Sequence, residues 1–169
     1  MLELLRKRRS IRTYSDKPVP NETIEKLREA AVRSPSSRNL NPWRFLFITD
    51  SSKLEKLSES KEHGAAFLAH ASLGIVVCGN SEESDAWVED CSIASIILQL
   101  TAQSLGLGSC WIQIRNRRHK SGIASGEYIR DLLDLPEQLK VESIISAGYP
   151  GEEKEGVPAG SLEFDKIIR

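Results

Sequence analysis

Cysteine is scarce and scattered in this sequence, which limits the disulfide bonds or metal sites that could cross-link the fold. Among 169 residues there are three cysteines, Cys78, Cys91 and Cys110, and long stretches separate them. No CxxC pair is present, so neither a disulfide framework nor a thiol-based metal site is expected. We therefore expect three small buried thiols, no bound metal and a cytoplasmic location.

Long apolar runs and a large net charge are also missing. No segment approaches the ~20 apolar residues that a membrane span requires. Residues 1–5 are too short and too acidic for a signal peptide. The formal net charge is −1 and the pI is about 6.3, far below the basic character of most nucleic-acid-binding domains. Without a repeat or a linker, we expect one domain over residues 1–169 and neither a membrane nor a nucleic-acid partner.

Against this neutral background, the segment at residues 6–12 (RKRRSIR) is strongly basic, and we call it the basic knot. Arginine binds phosphate oxygens through two parallel N–H donors, so Arg8, Arg9 and Arg12, with the hydroxyl of Ser10, suit phosphate capture. Taken alone, the knot fits a single phosphate, a polyanion or a solvated helix end. A second basic run at residues 115–120 (RNRRHK) keeps a nucleic-acid interpretation open.

The pattern of apolar residues predicts an α+β fold. Helical spacing indicates helices over residues 2–7, from a cap at Asn21, around residues 54–57, over residues 65–71 and 85–105, and from a cap at Ser125 to residue 133. Strands are predicted at residues 43–49, 73–78, 110–114 and 141–149. Apolar residues surround much of the 85–105 segment, so we expect a buried central helix. Helices and strands do not alternate regularly, which argues against a doubly wound sheet.

Two loop segments carry further candidate binding residues. Residues 34–42 (SPSSRNLNP) are a loop by composition, and their polar side chains suit the edge of a heterocycle or an ordinary surface turn. Residues 106–111 (GLGSCW) contain a GxG, but it leaves a helix and enters a strand. A dinucleotide fingerprint needs the reverse order, so a Rossmann site is excluded.

Taken in order, these segments resemble the nitroreductase-like flavoprotein family. RRSIRTY near the N-terminus, SPSSRNLNPW after the first long helix and LGLGSCWI after the central helix carry the resemblance, and WVEDC opens that central helix. The similarity runs from Leu5 to about Pro150. It implies an α+β homodimer with a mostly antiparallel sheet flanked by helices, and two FMN molecules at the subunit interface. It also implies a C-terminal arm, residues 150–169, that crosses to the partner subunit.

The resemblance further implies which residues bind FMN. Phosphate and ribityl contacts fall to Arg8, Arg9 and Ser10, while Arg12 lies near the pyrimidine side of the ring. The other implied contacts are Pro35, Ser36, Ser37 and Asn39 from the other subunit, and Cys110, Trp111, Ile112 and Gln113 along the ring, where a backbone N–H faces flavin N5. No catalytic side chain is expected, because the cofactor carries out the hydride chemistry.

The sequence departs from the family in two places. Members often close on the phosphate with a C-terminal Lys/Arg pair, whereas this tail offers only Lys154 before Lys166, so Lys154 or Arg115 would have to substitute. An Asn or Lys that reaches the ring often precedes the second strand, where this chain has residues 63–67 (HGAAF).

The resemblance implies an FMN-dependent NAD(P)H oxidoreductase. Hydride would pass through flavin N5 in two half-reactions, from NAD(P)H to a nitroaromatic, a quinone or a similar small acceptor. A flavin-binding or flavin-converting protein without NAD(P)H turnover is the alternative. A nucleic-acid-binding protein that uses both basic runs is a third hypothesis, which the low pI disfavours.

Overall fold

A single four-stranded sheet organises the chain, which the computed structural model describes from residue 1 to residue 168. The strands are β1 (Trp43–Ile48), β2 (Leu73–Asn80), β3 (Gly108–Gln113) and β4 (Leu139–Gly148). The helices are α1 (Leu2–Lys7), α2 (Asn21–Val32), α3 (Ser51–Ser58), α4 (Trp87–Ser104) and α5 (Ser125–Leu132). No helix within this described part is long and apolar enough to span a membrane.

All neighbouring strands run antiparallel, in the order β1-β2-β4-β3. This confirms the predicted α+β class with an antiparallel sheet. The β2–β4 register shifts between Val77 and Cys78, which pair with Ser143 and Val141, so Glu142 is the extra residue of a β-bulge. β1 and β3 form the two edges, and the open side of β3 therefore keeps backbone groups available for other partners.

Each face of the sheet carries its own apolar core, because successive strand residues point to opposite sides. On one face, Ile144 packs with Leu57 of α3 and Ile129 of α5. On the other face, Ile145 packs with Leu27 of α2 and Leu98 of α4. All six of these side chains are fully shielded from water. The strand positions were predicted to within about two residues.

The residues predicted as helix caps at Asn21 and Ser125 lie inside their helices. Asn21 is the first residue of α2 and not its cap, because the Pro20 carbonyl accepts the first helical N–H groups, from Thr23 and Ile24. Ser125 likewise begins α5 inside the helix, after Ala124.

The remaining helices also differ in part from the prediction. Only α3 has a side-chain cap among the five described helices, since Asp50 accepts the Lys53 N–H at 2.8 Å. The segment predicted as a helix at residues 65–71 is a 3₁₀ segment, Ala66–His70. A 3₁₀ turn is tighter than an α-helix and is common in short connecting pieces such as this one.

Helix α4 is the long, buried central helix that the sequence predicts, and it packs against the sheet and against α2. Asp90, Ser95 and Gln99 face inward and are almost fully buried, and the Ser95 and Ser143 hydroxyls lie 3.0 Å apart. The outward face carries Ile93, which is 41% exposed, and Ile96, which is 37% exposed. Together with Ile97 and Leu100 they follow helical i, i+3, i+4, i+7 spacing. We call these four residues the α4 stripe.

The tail divides into two parts. Residues 151–155 lie along the basic knot of the same chain and are tied to it by hydrogen bonds. Beyond them, the apolar side chains of Val157, Leu162, Phe164 and Ile167 are all about half exposed or more. Within the described residues, nothing covers this second part, so its crossing to a partner subunit stays a prediction.

Gly108 sets how closely the basic knot approaches β3, which leads to a first prediction. A Cβ at residue 108 would lie 2.8 Å from the Ile11 Cβ, too close for any real contact. We expect Gly108→Ala to lower the free energy of unfolding by about 1–3 kcal/mol through overpacking. Gly160→Ala is the control, because a Cβ there meets nothing within 4 Å. Urea unfolding of both variants measures the difference, and equal midpoints would contradict the packing argument.

Candidate functional site

The basic knot is fixed against the start of β3. The chain leaves α1 at Arg8, and Ser10 forms an isolated parallel bridge with Ser109. The Ile11 N–H donates to the Ser109 carbonyl at 3.0 Å. Behind this junction, the buried Tyr14 hydroxyl lies 2.8 Å from the Ile11 carbonyl and 2.7 Å from the Ser146 hydroxyl. Burial raises the pKa of Tyr14, so it stays a neutral structural group.

Within residues 1–168, Arg6 of the knot pairs with Glu3, but the other three arginines of the knot have no carboxylate partner. Arg8 is half-buried, and its guanidinium makes no hydrogen bond or ion pair within residues 1–168. Arg9 donates only to the Glu155 carbonyl. Arg12 lies over the Phe67 ring, with its guanidinium carbon 5.7 Å from the ring centroid. Cations that are held in place but not neutralised are what an anionic ligand requires.

The positive charges of Arg12, Lys154 and Lys61 act on Cys110, a fully buried residue of β3. Burial raises the pKa of the Cys110 thiol, while the charges of Arg12, Lys154 and Lys61 and the nearby Ser10 hydroxyl oppose that shift. The thiol therefore stays neutral and is buried next to a cationic region. The raised pKa gives no sign of a reactive thiolate.

An acidic strap, residues 152–155, lies across the knot and holds it in shape. The Glu152 carboxylate accepts the backbone N–H groups of Arg12 at 2.7 Å and Thr13 at 3.2 Å, and it pairs with Lys154 at 2.9 Å. The Lys154 ammonium also donates to the Ser10 carbonyl at 3.0 Å. Of the two residues expected to substitute for the C-terminal basic pair, Lys154 therefore lies at the knot. Arg115 lies beyond the other end of β3.

The open edge of β3 offers backbone donors between these two ends. The Ile114 N–H donates to the Glu142 carbonyl of β4, so even-numbered residues of β3 direct their hydrogen bonds to β4. The N–H groups of Trp111 and Gln113 consequently point away from the sheet. The Trp111 indole N–H donates to the Gln113 side chain at 2.9 Å, which fixes both side chains beside this edge. Cys110 and Ile112 face the buried interior instead.

The loop at Pro35–Asn39 is equally well ordered, but it lies elsewhere. The Ser36 hydroxyl donates to the side-chain oxygen of Asn41 at 2.8 Å and accepts the backbone N–H of Asn41 at 2.9 Å. The Ser37 N–H donates to the Asp90 carboxylate at 2.8 Å, which anchors the loop to the first turn of α4. Asn39 is exposed, with a positive φ of 56°. The side-chain bonds to the backbone stabilise this tight turn.

Within one chain, the two groups of predicted site residues are not brought together. The loop is anchored at the N-terminal end of α4, whereas the knot lies beside a cleft that Gln103 and Gly106 line at the C-terminal end. The 18 residues of α4 rise about 27 Å along the axis. A ligand that touches both groups therefore needs the loop of a second chain.

Sequence reasoning missed three residues of the site. Lys61 precedes the segment in which the family's ring contact was sought, and its charge acts on Cys110. Phe67 lies within that segment and supports Arg12. Glu152 lies in the tail, which was predicted to cross to a partner subunit. Local sequence patterns carried no signal for these residues, because each of them reaches the knot region from a segment far away in the sequence.

Comparisons with known proteins show which family and which fold the chain resembles. The Nitroreductase family model matches residues 5–63 and 54–149. A protein of Archaeoglobus fulgidus, provisionally named an NADH dehydrogenase/NAD(P)H nitroreductase, is 40% identical over 158 residues, which cover 91% of this chain and 87% of that protein. The structure of an FMN-dependent nitroreductase from Clostridium difficile R20291 superposes with a TM-score of 0.98 at 44% identity, covering 100% of this chain and 98% of the other. A Parabacteroides distasonis structure with the same provisional name superposes with a TM-score of 0.90 at 34% identity, covering 99% and 96%.

The strap leads to a prediction on pH dependence. The pKa of Glu152 is lowered from 4.5 to about 2, first by the Arg12 N–H and then by Lys154. Because the folded pKa lies below the unfolded one, the stabilisation is complete above about pH 4.5 and is lost as the pH falls towards 2. We expect Glu152→Gln to lower the urea midpoint at pH 7 and to differ less from the wild type at pH 3. Glu153→Gln, which removes an exposed carboxylate, is the control, and a gap independent of pH would contradict the assignment.

Proposed function

The chain belongs to the nitroreductase family, and on that premise we propose that it is an FMN-dependent oxidoreductase that takes hydride from NAD(P)H and reduces a small acceptor. The acceptor is a nitroaromatic, a quinone or a molecule of similar size. The observation that carries the proposal is the unneutralised group of Arg8, Arg9 and Arg12, placed at one end of an open strand edge with free N–H donors. A phosphate-bearing planar ring system fits this combination of charge at one end and backbone donors along the side.

The residues present suit FMN in three respects. Arg8, Arg9 and Lys154 offer charged donors for the phosphate, beside the hydroxyl of Ser10. Arg12 is a fixed cation that would stabilise negative charge on the pyrimidine side of the ring as the ring is reduced. When bound, FMN supplies the hydride chemistry itself, so the protein needs to bind, orient and shield it rather than to contribute an acid or a base.

The edge of β3 would orient the ring. The outward N–H groups of Trp111 and Gln113 provide donors in a fixed row, and the Trp111–Gln113 side-chain bond holds this row rigid. The buried Cys110 and Ile112 would support the strand from behind without touching an acceptor. Rigid backbone donors are well suited to hold a ring in one orientation, because a strand does not have to reorganise when the ligand binds.

The second half of the site would come from a second copy of the chain. A two-fold axis across the α4 stripe would pair two copies of α4 antiparallel and would bury the stripe against itself. The same operation carries the partner's Pro35–Asn39 loop from the N-terminal end of its α4 to the C-terminal end of this one, where the knot lies. The homodimer thus accounts for both the exposed stripe and the separation of the two residue groups. The exposed residues 157–168 would extend the interface as a crossing arm.

Spectroscopy of the purified protein tests the reaction. We expect one FMN per chain, and anaerobic NADH or NADPH should abolish the visible absorbance of the oxidised flavin. An acceptor such as a nitroaromatic or a quinone should then restore it. A protein that binds FMN but stays oxidised with both donors would favour a flavin-binding or flavin-converting role. A protein that gains no flavin absorbance when FMN is added would contradict both flavin functions.

Arg8 tests the phosphate assignment. Loss of a charged hydrogen bond should weaken FMN binding by about 1.5–3 kcal/mol, so we expect Arg8→Ala to raise the FMN dissociation constant at least tenfold. Arg28→Ala on α2 is the matched control, since Arg28 pairs with Glu25 far from the knot. Fluorescence titration with FMN measures both. Equal affinities in the two variants would rule out the phosphate role of Arg8.

Ile93 tests the two-chain site. A glutamate at this position would bury an unpaired charge in the interface, so Ile93→Glu should weaken dimerisation at least about a hundredfold. FMN should then be lost together with the dimer. Val32→Glu on α2 is the control, because Val32 is also an exposed apolar helix residue but lies outside the stripe. Analytical ultracentrifugation with absorbance detection follows mass and flavin together, and a monomer that retains tight FMN would contradict the proposal.

A further inference from the structure

The arginines of this protein fall into two classes by their partners. Within residues 1–168, one class pairs with carboxylates of the same chain: Arg6, Arg28, Arg33, Arg38, Arg44 and Arg130. The other class has no carboxylate partner in that range: Arg8, Arg9, Arg12, Arg115, Arg117 and Arg118. Every arginine of the second class lies in one of the two basic runs, in which Arg6 alone pairs with a carboxylate. The proposed FMN site uses the first run and leaves the second without a role.

The second run lines a surface groove of about 720 Å³. Two carboxylates lie in its walls, those of Glu127 and Glu137. Cationic side chains outnumber them: Arg115, Arg117, Arg118, Arg130 and Lys140. The protein carries a net charge of only −1, so this local excess is not part of a generally basic surface. The volume is in the range of sites that hold small molecules.

The backbone that carries these arginines is rigidly held. The Arg117 N–H donates to the Ile114 carbonyl at 3.0 Å, and the Arg117 carbonyl accepts the Ser125 N–H at 2.9 Å. The Arg118 carbonyl accepts the Glu62 N–H, which ties the loop to the segment after α3. The loop backbone of the groove is therefore preorganised, which lowers the entropy cost of binding a ligand.

Like charges are held close together at this loop. The pKa of Lys61 is lowered, first by burial and then by the positive charge of Arg117. Lys61 in turn acts on Cys110 under the proposed flavin site, so the loop adjoins that site. Repulsion between fixed cations costs stability, and a bound anion would relieve it.

The groove begins immediately beyond the strand edge that would orient the flavin. Arg115 follows Gln113 by two residues, and its N–H still bonds to the Glu142 carbonyl of β4 at 3.0 Å. Resting on the proposed function, we propose that Arg115 and Arg117 bind the phosphate groups of the nicotinamide dinucleotide donor, and that their charge favours NADPH over NADH. The donor's nicotinamide would then lie over the flavin while its phosphates reach the groove.

Charge and size favour a dinucleotide over a nucleic acid. Glu127 and Glu137 lie in the same walls and would repel a continuous phosphate backbone. The 2′-phosphate of NADPH adds a compact charge that suits the bidentate donors of arginine. NADH lacks this group, so it forgoes those charge-assisted bonds.

The experiment compares the double variant Arg115→Ala/Arg117→Ala with Arg28→Ala/Arg33→Ala, which removes the same charge from α2. We expect the first pair to lower the ratio of kcat/KM for NADPH to that for NADH about tenfold, with KM for NADPH rising. The control pair should leave the ratio unchanged, and FMN content should be equal in both. Arg115→Lys/Arg117→Lys should recover part of the ratio, since it retains the charge but loses the bidentate geometry.

Calorimetry with 2′,5′-ADP separates this proposal from the proposed function, because the probe carries the extra phosphate and needs no electron transfer. We expect 2′,5′-ADP to bind the wild type and to bind the Arg115→Ala/Arg117→Ala variant about tenfold more weakly. This result supports the groove as the phosphate-binding site even if neither donor reduces the flavin. A flavin that both donors reduce, with equal 2′,5′-ADP binding in all variants, overturns the groove and leaves the proposed function intact. Tight binding of a short DNA duplex that displaces 2′,5′-ADP from the groove would also overturn it.

Discussion

Helix α4 has a buried inner face and an exposed apolar outer face, and the proposed site depends on both. Its inner face, with Asp90, Ser95 and Gln99, lies against the sheet and fixes the ends of the helix relative to β3 and β4. Its outer face is the α4 stripe, which one chain leaves open to water. Apolar side chains in such a row are stabilised when they are buried, at about 25 cal/mol per Å². Pairing of two stripes would therefore build the interface and the ligand site in one step.

The distribution of positive charge is the second feature on which the proposed site depends. Many surface arginines of this protein are neutralised by a carboxylate of the same chain, as Arg33 is by Glu29. Arg8, Arg9 and Arg12 of the knot differ, because the neighbouring Glu152 carboxylate accepts backbone N–H groups and pairs with Lys154 instead of with their guanidinium groups. The strap thereby shapes the knot without cancelling its charge. The knot and the run at residues 115–118 thus remain as two separate cationic regions at the two ends of β3.

The fold could be predicted from the sequence wherever residue periodicity and burial agreed. The four strands were recognisable because they are short apolar runs with loop residues between them. The caps at Asn21 and Ser125 were misplaced because the start of a helix depends on which carbonyl accepts the first N–H, and the composition does not determine that choice. The exposure of the α4 stripe could not be predicted for a different reason: apolar residues indicate burial but do not specify whether the same chain or another one provides it.

The sequence motifs suggested which segments form the candidate site, and the family resemblance already assigned the Pro35–Asn39 loop to the other subunit. The motifs grouped Arg8–Arg12, the Pro35–Asn39 loop and the β3 residues together, and their assignment to FMN stays a prediction. The structure adds the spacing, since the loop and the knot of one chain lie at opposite ends of α4. Lys61, Phe67 and Glu152 join the knot through contacts between segments far apart in sequence, which periodicity and local composition do not reveal.

Mixed dimers test the two-chain site most directly. An Arg8→Ala chain and an Asn39→Ala chain, each carrying a different affinity tag, can be co-expressed and the heterodimer isolated. If each site combines the knot of one chain with the loop of the other, the heterodimer has one intact site. Titration should then find one tightly bound FMN per heterodimer, whereas both parent homodimers bind weakly. A heterodimer with two weak sites like its parents would mean that each site lies within one chain, which contradicts a flavin site shared between subunits.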